Sequence, residues 1–347
     1  MIIKNQVQSV PIKSRIARIV LSSLLSSPVG ARIERVLVWL GHRYPYNLPA
    51  RGAIIAQIAQ RKQSSKRVKA TLLNGVQVIL PSVIDAYSIY LTGCLNAEEA
   101  TTFLLQRMLK PGDVFLDIGA NMGFYTFWVA KICGQSGHVY AFEPQGNLAK
   151  YLERSIVLNN YGTRVTVVCA AVSSDHISQA TLYHAANRDG TGGLPSLFAH
   201  KWLDAETGMD VPTVSIDGYR QENGIKRVNG IKIDVEGAEM LVLRGMQHTL
   251  EEAPPELIVL EVNPDTISFR NIENGAPLMQ APGAATPENV VQFLTGYGYE
   301  PRHIRRDGRV GRIYNQADLQ NITPGTNIAF VSPMLRNTRP ELFAVNS

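Results

Sequence analysis

The stretch that most constrains how this chain folds is residues 110–134, K-P-G-D-V-F-L-D-I-G-A-N-M-G-F-Y-T-F-W-V-A-K-I-C-G. A short apolar run at 114–116 leads to Asp117, then to Gly119 and Gly123. Beyond them Phe124, Phe127, Trp128, Ala130 and Ile132 recur at helical spacing up to Gly134. The pattern predicts strand, tight glycine turn, helix. In open α/β sheets ligands bind outside the carboxyl ends of the strands, and glycine lets backbone approach where a Cβ would intrude. A binding site is therefore expected at this turn.

The sequence repeats that logic downstream. Residues 137–142 predict a second strand closing on Glu143-Pro144, 148–158 a helix and 164–172 a third strand, so β-α-β-α-β is written out in about sixty residues. Residues 230–235 predict a fourth strand, 236–243 a helix stopped by Gly245, and 257–262 a fifth strand ending at Glu261 and Asn263-Pro264. A helix at 287–294, a hairpin of 299–306 with 309–314 around Asp307-Gly308, and a strand at 327–331 follow. The fold class is α/β, a Rossmann-like, doubly wound and mostly parallel sheet. Residues 180–183 add a short extra strand. The glycine-rich segment 187–196 lacks a preceding strand and a Lys-Ser/Thr pair, which excludes a phosphate-binding P-loop and leaves a mobile substrate-side loop or a surface insertion.

Ahead of the sheet, 68–73 and 76–80 flank Asn74-Gly75, a hairpin signal, and 97–109 predicts a helix ended by Pro111-Gly112. Charge separates the N-terminal part from the rest. Residues 1–70 hold 13 Lys and Arg against the single acid Glu34, a charge of +12, so a chain of net +5 carries −7 elsewhere. Two helices, 14–25 and 31–40, set Arg15, Arg18, Arg32 and Arg35 among Ile, Val, Leu and Trp39. Such a segment serves either as a solvated cap on the domain or as a basic amphipathic helix on an anionic membrane surface. Residues 63–66 have linker composition. With 45% hydrophobic and 18% charged residues the chain is too apolar to be disordered, and no run approaches the length of a transmembrane helix. Cys94, Cys133 and Cys169 are odd in number and far apart, which argues against disulfides or a structural zinc site and for a reducing, cytoplasmic compartment.

Glu143 follows Gly123 by twenty residues and closes the second strand, where a carboxylate accepts both vicinal hydroxyls of a ribose. The dinucleotide fingerprint G-x-G-x-x-G is absent, and Asp117 stands just ahead of the turn. A carboxylate there opposes a pyrophosphate but offsets a sulfonium and an ammonium, which favours S-adenosylmethionine over NAD. D-V-F-L-D-I-G-A-N-M-G-F-Y-T, A-F-E-P, I-K-I-D-V-E-G-A-E-M-L-V-L-R-G and L-I-V-L-E-V then resemble the FkbM family of class I S-adenosylmethionine-dependent methyltransferases, from about residue 80 to residue 333. The resemblance implies methyl transfer to an oxygen, commonly a hydroxyl of a sugar or secondary metabolite. It implies that Asp117, Gly119, Asn121 and Gly123 line the methionine and ribose side of the cofactor, that Glu143 binds the ribose, and that Ala171, Val172 and Ser173 meet the adenine. Asp234, Glu236 and Glu239 then face the transferred methyl.

A hydroxyl acceptor must lose a proton, and Asp234 is the expected base or orienting group. Two alternatives stand beside it. Asp234, Glu261 and Asn263 offer hard oxygen ligands to Mg²⁺, which is allowed but not expected; and His184 or His200 offers an imidazole base. Asp117 as a turn cap, Asn121 as a positive-φ residue and Glu239 as a helix-start acid are the structural readings of those positions. Arg302, Arg305, Arg306, Arg309 and Arg312 mark either an anion subsite or a charged edge that blocks strand pairing. The expected organisation is a basic extension at 1–66, a methyltransferase domain at 67–335 and a tail at 336–347. It would act on a small-molecule or glycan acceptor with a free hydroxyl and without nucleic acid, with peripheral membrane contact through 1–66 left open beside the solvated cap. An NAD-dependent oxidoreductase and a non-catalytic binding protein are the rival functions.

Overall fold

The computed structural model describes residues 25, 29–48, 50–62, 65–95, 98–174, 179–183, 208–262, 285–323 and 325–343. It divides into two compact units, residues 1–99 and 100–347. The expected domain boundary at 66 falls inside the first.

In the first unit α1 (Gly30–Arg43) and α2 (Arg51–Arg61) pack on α3 (Ile84–Thr92), which also covers the hairpin of β1 (Arg67–Thr71) and β2 (Gln77–Pro81). The hairpin is antiparallel as expected, and its alternation turns Val68, Ala70, Val78 and Leu80 into the core. Gly75 takes φ +87° at its tip. Of the two N-terminal helices expected, the second is α1, whereas residues 14–24 lie outside the described residues. So do Gln63 and Ser64 of the expected linker.

The second unit is built on an eight-stranded sheet in the order β12-β11-β13-β10-β9-β3-β4-β5. The strands are β3 (Val114–Ile118), β4 (His138–Phe142), β5 (Val165–Val168), β9 (Gly230–Ile233), β10 (Leu257–Val262), β11 (Glu300–Ile304), β12 (Val310–Ile313) and β13 (Thr326–Val331). From β5 through β10 neighbours are parallel; β13 is antiparallel to both β10 and β11, and β12 to β11. Helices α4 (Glu99–Met108), α5 (Phe124–Cys133), α6 (Gly146–Asn159), α7 (Ile216–Glu222), α8 (Glu239–Arg244), α9 (Gln247–Glu252), α10 (Pro287–Gly296), α11 (Gln316–Gln320) and α12 (Pro333–Thr338) complete the unit. The central strands are buried on both faces, as parallel strands between helices must be. Leu116, Ile118, Ile231, Ile233, Ile258, Leu260, Leu243 and Phe330 form one contiguous core.

The expected third strand, 164–172, is two. β5 stays in the main sheet, and after Cys169-Ala170 the chain leaves as β6 (Ala171–Val172), which pairs with β8 (Gly208–Val214), itself paired to β7 (Gln179–Tyr183). The helix expected from 236 begins at Glu239, because Glu236 and Gly237 both take positive φ, +53° and +101°. Residues expected as a tail continue as α12 and a 3-10 turn, Pro340–Leu342, after which Phe343 bridges to Val310. The expected arginine cluster is largely paired. Arg302 is buried against Glu300 and Phe343, Arg312 binds Asp318, and Arg305 and Arg309 flank Asp307. That favours the charged-edge reading over an anion subsite.

Candidate active site

Strand order reverses between β3 and β9, and the crevice outside their carboxyl ends is where this architecture leaves room for a ligand. The backbone there is tightly specified. Asp234 N–H donates to Ile118 O at 2.9 Å, and the Gly119 and Ala120 N–H groups both donate to Phe142 O at 3.0 Å. Gly119 has φ +83°, and a Cβ on it would fall 1.8 Å from Asp234 O, so the ends of β3 and β9 meet only over a bare glycine. Asn121, at φ +50°, turns the chain into α5.

A cleft of about 710 Å³, open mouth included, lies over these ends. Gly119, Asn121, Glu143, Ala171, Val172, Asp234 and Glu236 all line it, so seven of the residues marked in the sequence come together from four separate segments. Ile118, Phe142 and Leu182 add apolar wall and Gln145 a polar one. Glu143 is buried and holds both oxygens in place by accepting the N–H of Asn121 at 2.8 Å and of Gln145 at 2.9 Å. Burial pushes its carboxyl up to about 7, against those two N–H donors.

Four of the residues marked for cofactor binding or catalysis do not line the cleft. Asp117 sits behind the turn, buried, where the Thr126 hydroxyl donates to its Oδ2 at 2.5 Å; burial raises it to about 6, opposed by Thr126 and Lys232. Gly123 is the left-handed cap of α5, with Leu152 and Phe127 packed where a Cβ would stand. Ser173 is wholly buried, and its N–H donates to Val214 O. Glu239 turns back to accept the Gly237 N–H at 2.9 Å, and burial raises it to about 7. Asn263, His184 and His200 lie outside the described residues.

Lys232 carries a signal the sequence reading passed over, a lysine inside the apolar strand G-I-K-I. Its side chain is fully buried, with Nζ 3.3 Å from Asp234 Oδ2 and 5.6 Å from the centre of the Tyr125 ring. An ammonium so enclosed needs an anion, and Asp234 supplies it. Asp234, Glu236 and the half-buried Glu261 offer carboxylate oxygens that all lie within 4.8 Å of one another. They are the described residues able to hold a divalent cation. Apolar walls, a ribose-competent carboxylate and an acidic far end suit a cationic nucleoside, and Asp117 behind the turn adds to the negative field.

A family model for the methyltransferase FkbM domain matches residues 117–301. Hexuronic acid methyltransferase AglP of Haloferax volcanii is 29% identical over 176 residues, 49% of this chain and 64% of that protein. The 31-O-demethyl-FK506 methyltransferase FkbM of Streptomyces tacrolimicus is 29% identical over 161 residues, 40% of this chain and 61% of that protein. The aligned region thus covers less than two thirds of either relative. Among solved structures, a methyltransferase FkbM from Methylobacillus flagellatus aligns with a TM-score of 0.35 at 12% identity, covering 87% of this chain and 59% of that one.

Proposed function

The chain belongs to the FkbM methyltransferase family, and on that premise we propose that it methylates a hydroxyl oxygen of a sugar, a glycan or a secondary metabolite. Membership supports S-adenosylmethionine-dependent methyl transfer over the nicotinamide alternative. Oxygen as the acceptor atom is supported by one relative's name, 31-O-demethyl-FK506 methyltransferase, and a sugar acceptor by the other's, hexuronic acid methyltransferase.

The observation that carries the reading is the pairing of Glu143 and Asp234 across one cleft. Glu143, its carboxylate fixed by two backbone donors, accepts the ribose hydroxyls; Ala171, Val172, Phe142 and Leu182 enclose the base. Gly119 and Asn121 carry the backbone past the methionine part, with Asp117 and Gly123 shaping the turn from behind. Ser173 belongs to the adenine side only through the backbone that holds β6 to β8. When bound, the cofactor supplies an electrophilic methyl with a neutral leaving group. What remains for the protein is alignment and one proton. Asp234 lies at the acceptor end of the cleft as base or orienting group, held by Lys232, while Glu236 shares its wall and Glu239 shapes the turn beneath.

A second reading rests on the acidic triad: Asp234, Glu236 and Glu261 hold Mg²⁺, which orients the acceptor hydroxyl. Methyl transfer from labelled cofactor to a panel of uronic acids, glycosides and polyketide alcohols tests both. Asp234→Asn keeps cofactor affinity and loses about 10²–10⁴ in turnover if Asp234 is the base. Normal turnover would sink that role, and activity that vanishes with EDTA and returns with Mg²⁺ would select the metal. A cytoplasmic enzyme with peripheral membrane contact through residues 1–66 completes the proposal.

A further inference from the structure

The helix α1 is turned in an unusual direction. At about 100° per residue, Gly30, Glu34 and Gly41 fall on one side, and these are the positions it buries. A Cβ on Gly41 would lie 2.1 Å from Leu91 O, so a bare glycine is what lets α1 lie against α3. Glu34 is enclosed by Arg61 Nη1 at 2.6 Å, Lys62 Nζ at 3.0 Å and the Tyr90 hydroxyl at 2.7 Å. The single acid of residues 1–70 is thereby turned inward and neutralised.

The opposite side of α1 is apolar and basic together. Trp39 is 65% exposed and Val36 56%, on one stripe with Val29 and with the exposed Arg32, Arg35 and Arg43. None of these three guanidinium groups is in an ion pair among the described residues. A solvated helix has no use for an exposed tryptophan between valines, and an apolar contact alone has none for three arginines that lack a carboxylate partner among the described residues, Arg43 lying only over the neighbouring Tyr44 ring at 6.0 Å. A nucleic acid would engage the arginines and leave Val29 and Val36 unmatched. An anionic lipid surface engages both sets: indole and valine at the acyl boundary, guanidinium at the phosphate level.

We propose that the Val29–Arg32–Arg35–Val36–Trp39–Arg43 face of α1 is a docking surface for anionic membrane. It rests on the peripheral contact proposed above and narrows it to one helix face, independently of the acceptor chosen by the cleft.

The test uses the full chain with mixed phosphatidylcholine and phosphatidylserine vesicles, and with phosphatidylcholine alone, in sedimentation. Wild type pellets with the anionic vesicles only, and less as salt rises. The triple variant Arg32→Gln, Arg35→Gln, Arg43→Gln binds on the order of a hundredfold more weakly, each cation contributing roughly fivefold near such a surface. Trp39→Ala removes the part of the binding that survives high salt. A urea denaturation curve unchanged from wild type shows that each variant is folded. Wild type that does not pellet overturns both the docking face and membrane contact. A triple variant that pellets like wild type overturns the face alone and sends the contact elsewhere in residues 1–66. Arginine-dependent binding to duplex RNA with no vesicle binding overturns the lipid assignment.

Discussion

Replacing Glu143 by glutamine separates the strain of holding a buried carboxylate from the affinity it provides. Burial raises the carboxyl from an ordinary 4.5 to about 7. A group whose folded value lies above its unfolded one holds its proton more tightly in the native state. Stability is therefore fullest below the unfolded value, falls as pH climbs through the window from 4.5 to about 7, and is level above it. At about 1.4 kcal/mol per pH unit between the two values, ionised Glu143 costs the fold about 3 kcal/mol at alkaline pH. Glutamine carries no such dependence. Its amide does face one of the two backbone N–H groups with a donor, a penalty of about 1–3 kcal/mol that does not vary with pH. Asp117 and Glu239 shift in the same direction but are present in both proteins, so the difference between wild type and variant reports Glu143 together with its repulsion from Asp117. Urea unfolding of both at about pH 5 and about pH 8 should show the variant gaining on wild type by roughly 2 kcal/mol over that interval. Calorimetry at neutral pH should show S-adenosylmethionine bound about 10–100-fold more weakly, the loss of charged hydrogen bonds to the ribose. Parallel stability curves would refute the burial argument. Unchanged affinity would remove Glu143 from the cofactor site whatever the curves did.

Three further outcomes follow from the geometry. Gly119→Ala should cost about 3 kcal/mol or more and cofactor binding with it, because its Cβ meets Asp234 O and its φ is positive; a wild-type Tm would refute the close approach. Lys232→Met should lower kcat and move the acid limb of cofactor binding to higher pH, since the ammonium now holds Asp117 down; a pH profile identical to wild type would limit Lys232 to packing. Glu34→Gln should destabilise the first unit by about 1–2 kcal/mol and leave methyl transfer unchanged, read by denaturation beside activity.

The parts of the sheet that were legible are those where local pattern and final environment agree. β3, β4, β9 and β10 are short apolar runs with an acid or a glycine at their ends; β3, β9 and β10 are buried on both faces, while β4 leaves His138 and Tyr140 half-buried on one. The break inside 164–172 was illegible because V-T-V-V-C-A-A-V is a nearly continuous apolar run with no glycine or proline to punctuate it; what divides it is pairing to β8, about forty residues away in sequence. α3 was missed because it is apolar nearly all round, so it shows no amphipathic stripe. At the site, Glu143 and Asp234 stand at strand ends where position alone predicts exposure to a ligand. Lys232 drew no reading from the sequence, and only its complete burial in β9 marks it as an enclosed charge. In α1 the arginines were visible but the inward face was not, since two glycines and an acid are not a core-facing pattern.

The place of β13 has a consequence for how the protein comes into being. Among the described strands it comes last in sequence, yet it lies between β10 and β11, bonded to both. Until residues 326–331 have left the ribosome, β10 presents an open edge and the β11–β12 hairpin has nothing to join. The parallel half that carries the cleft is complete in sequence far earlier, and it must wait with an unprotected border. A chain stopped before Thr326 would thus contain every cleft residue named here and still offer a sticky apolar strand to its neighbours, so translation arrest in this interval should yield aggregates rather than a smaller enzyme.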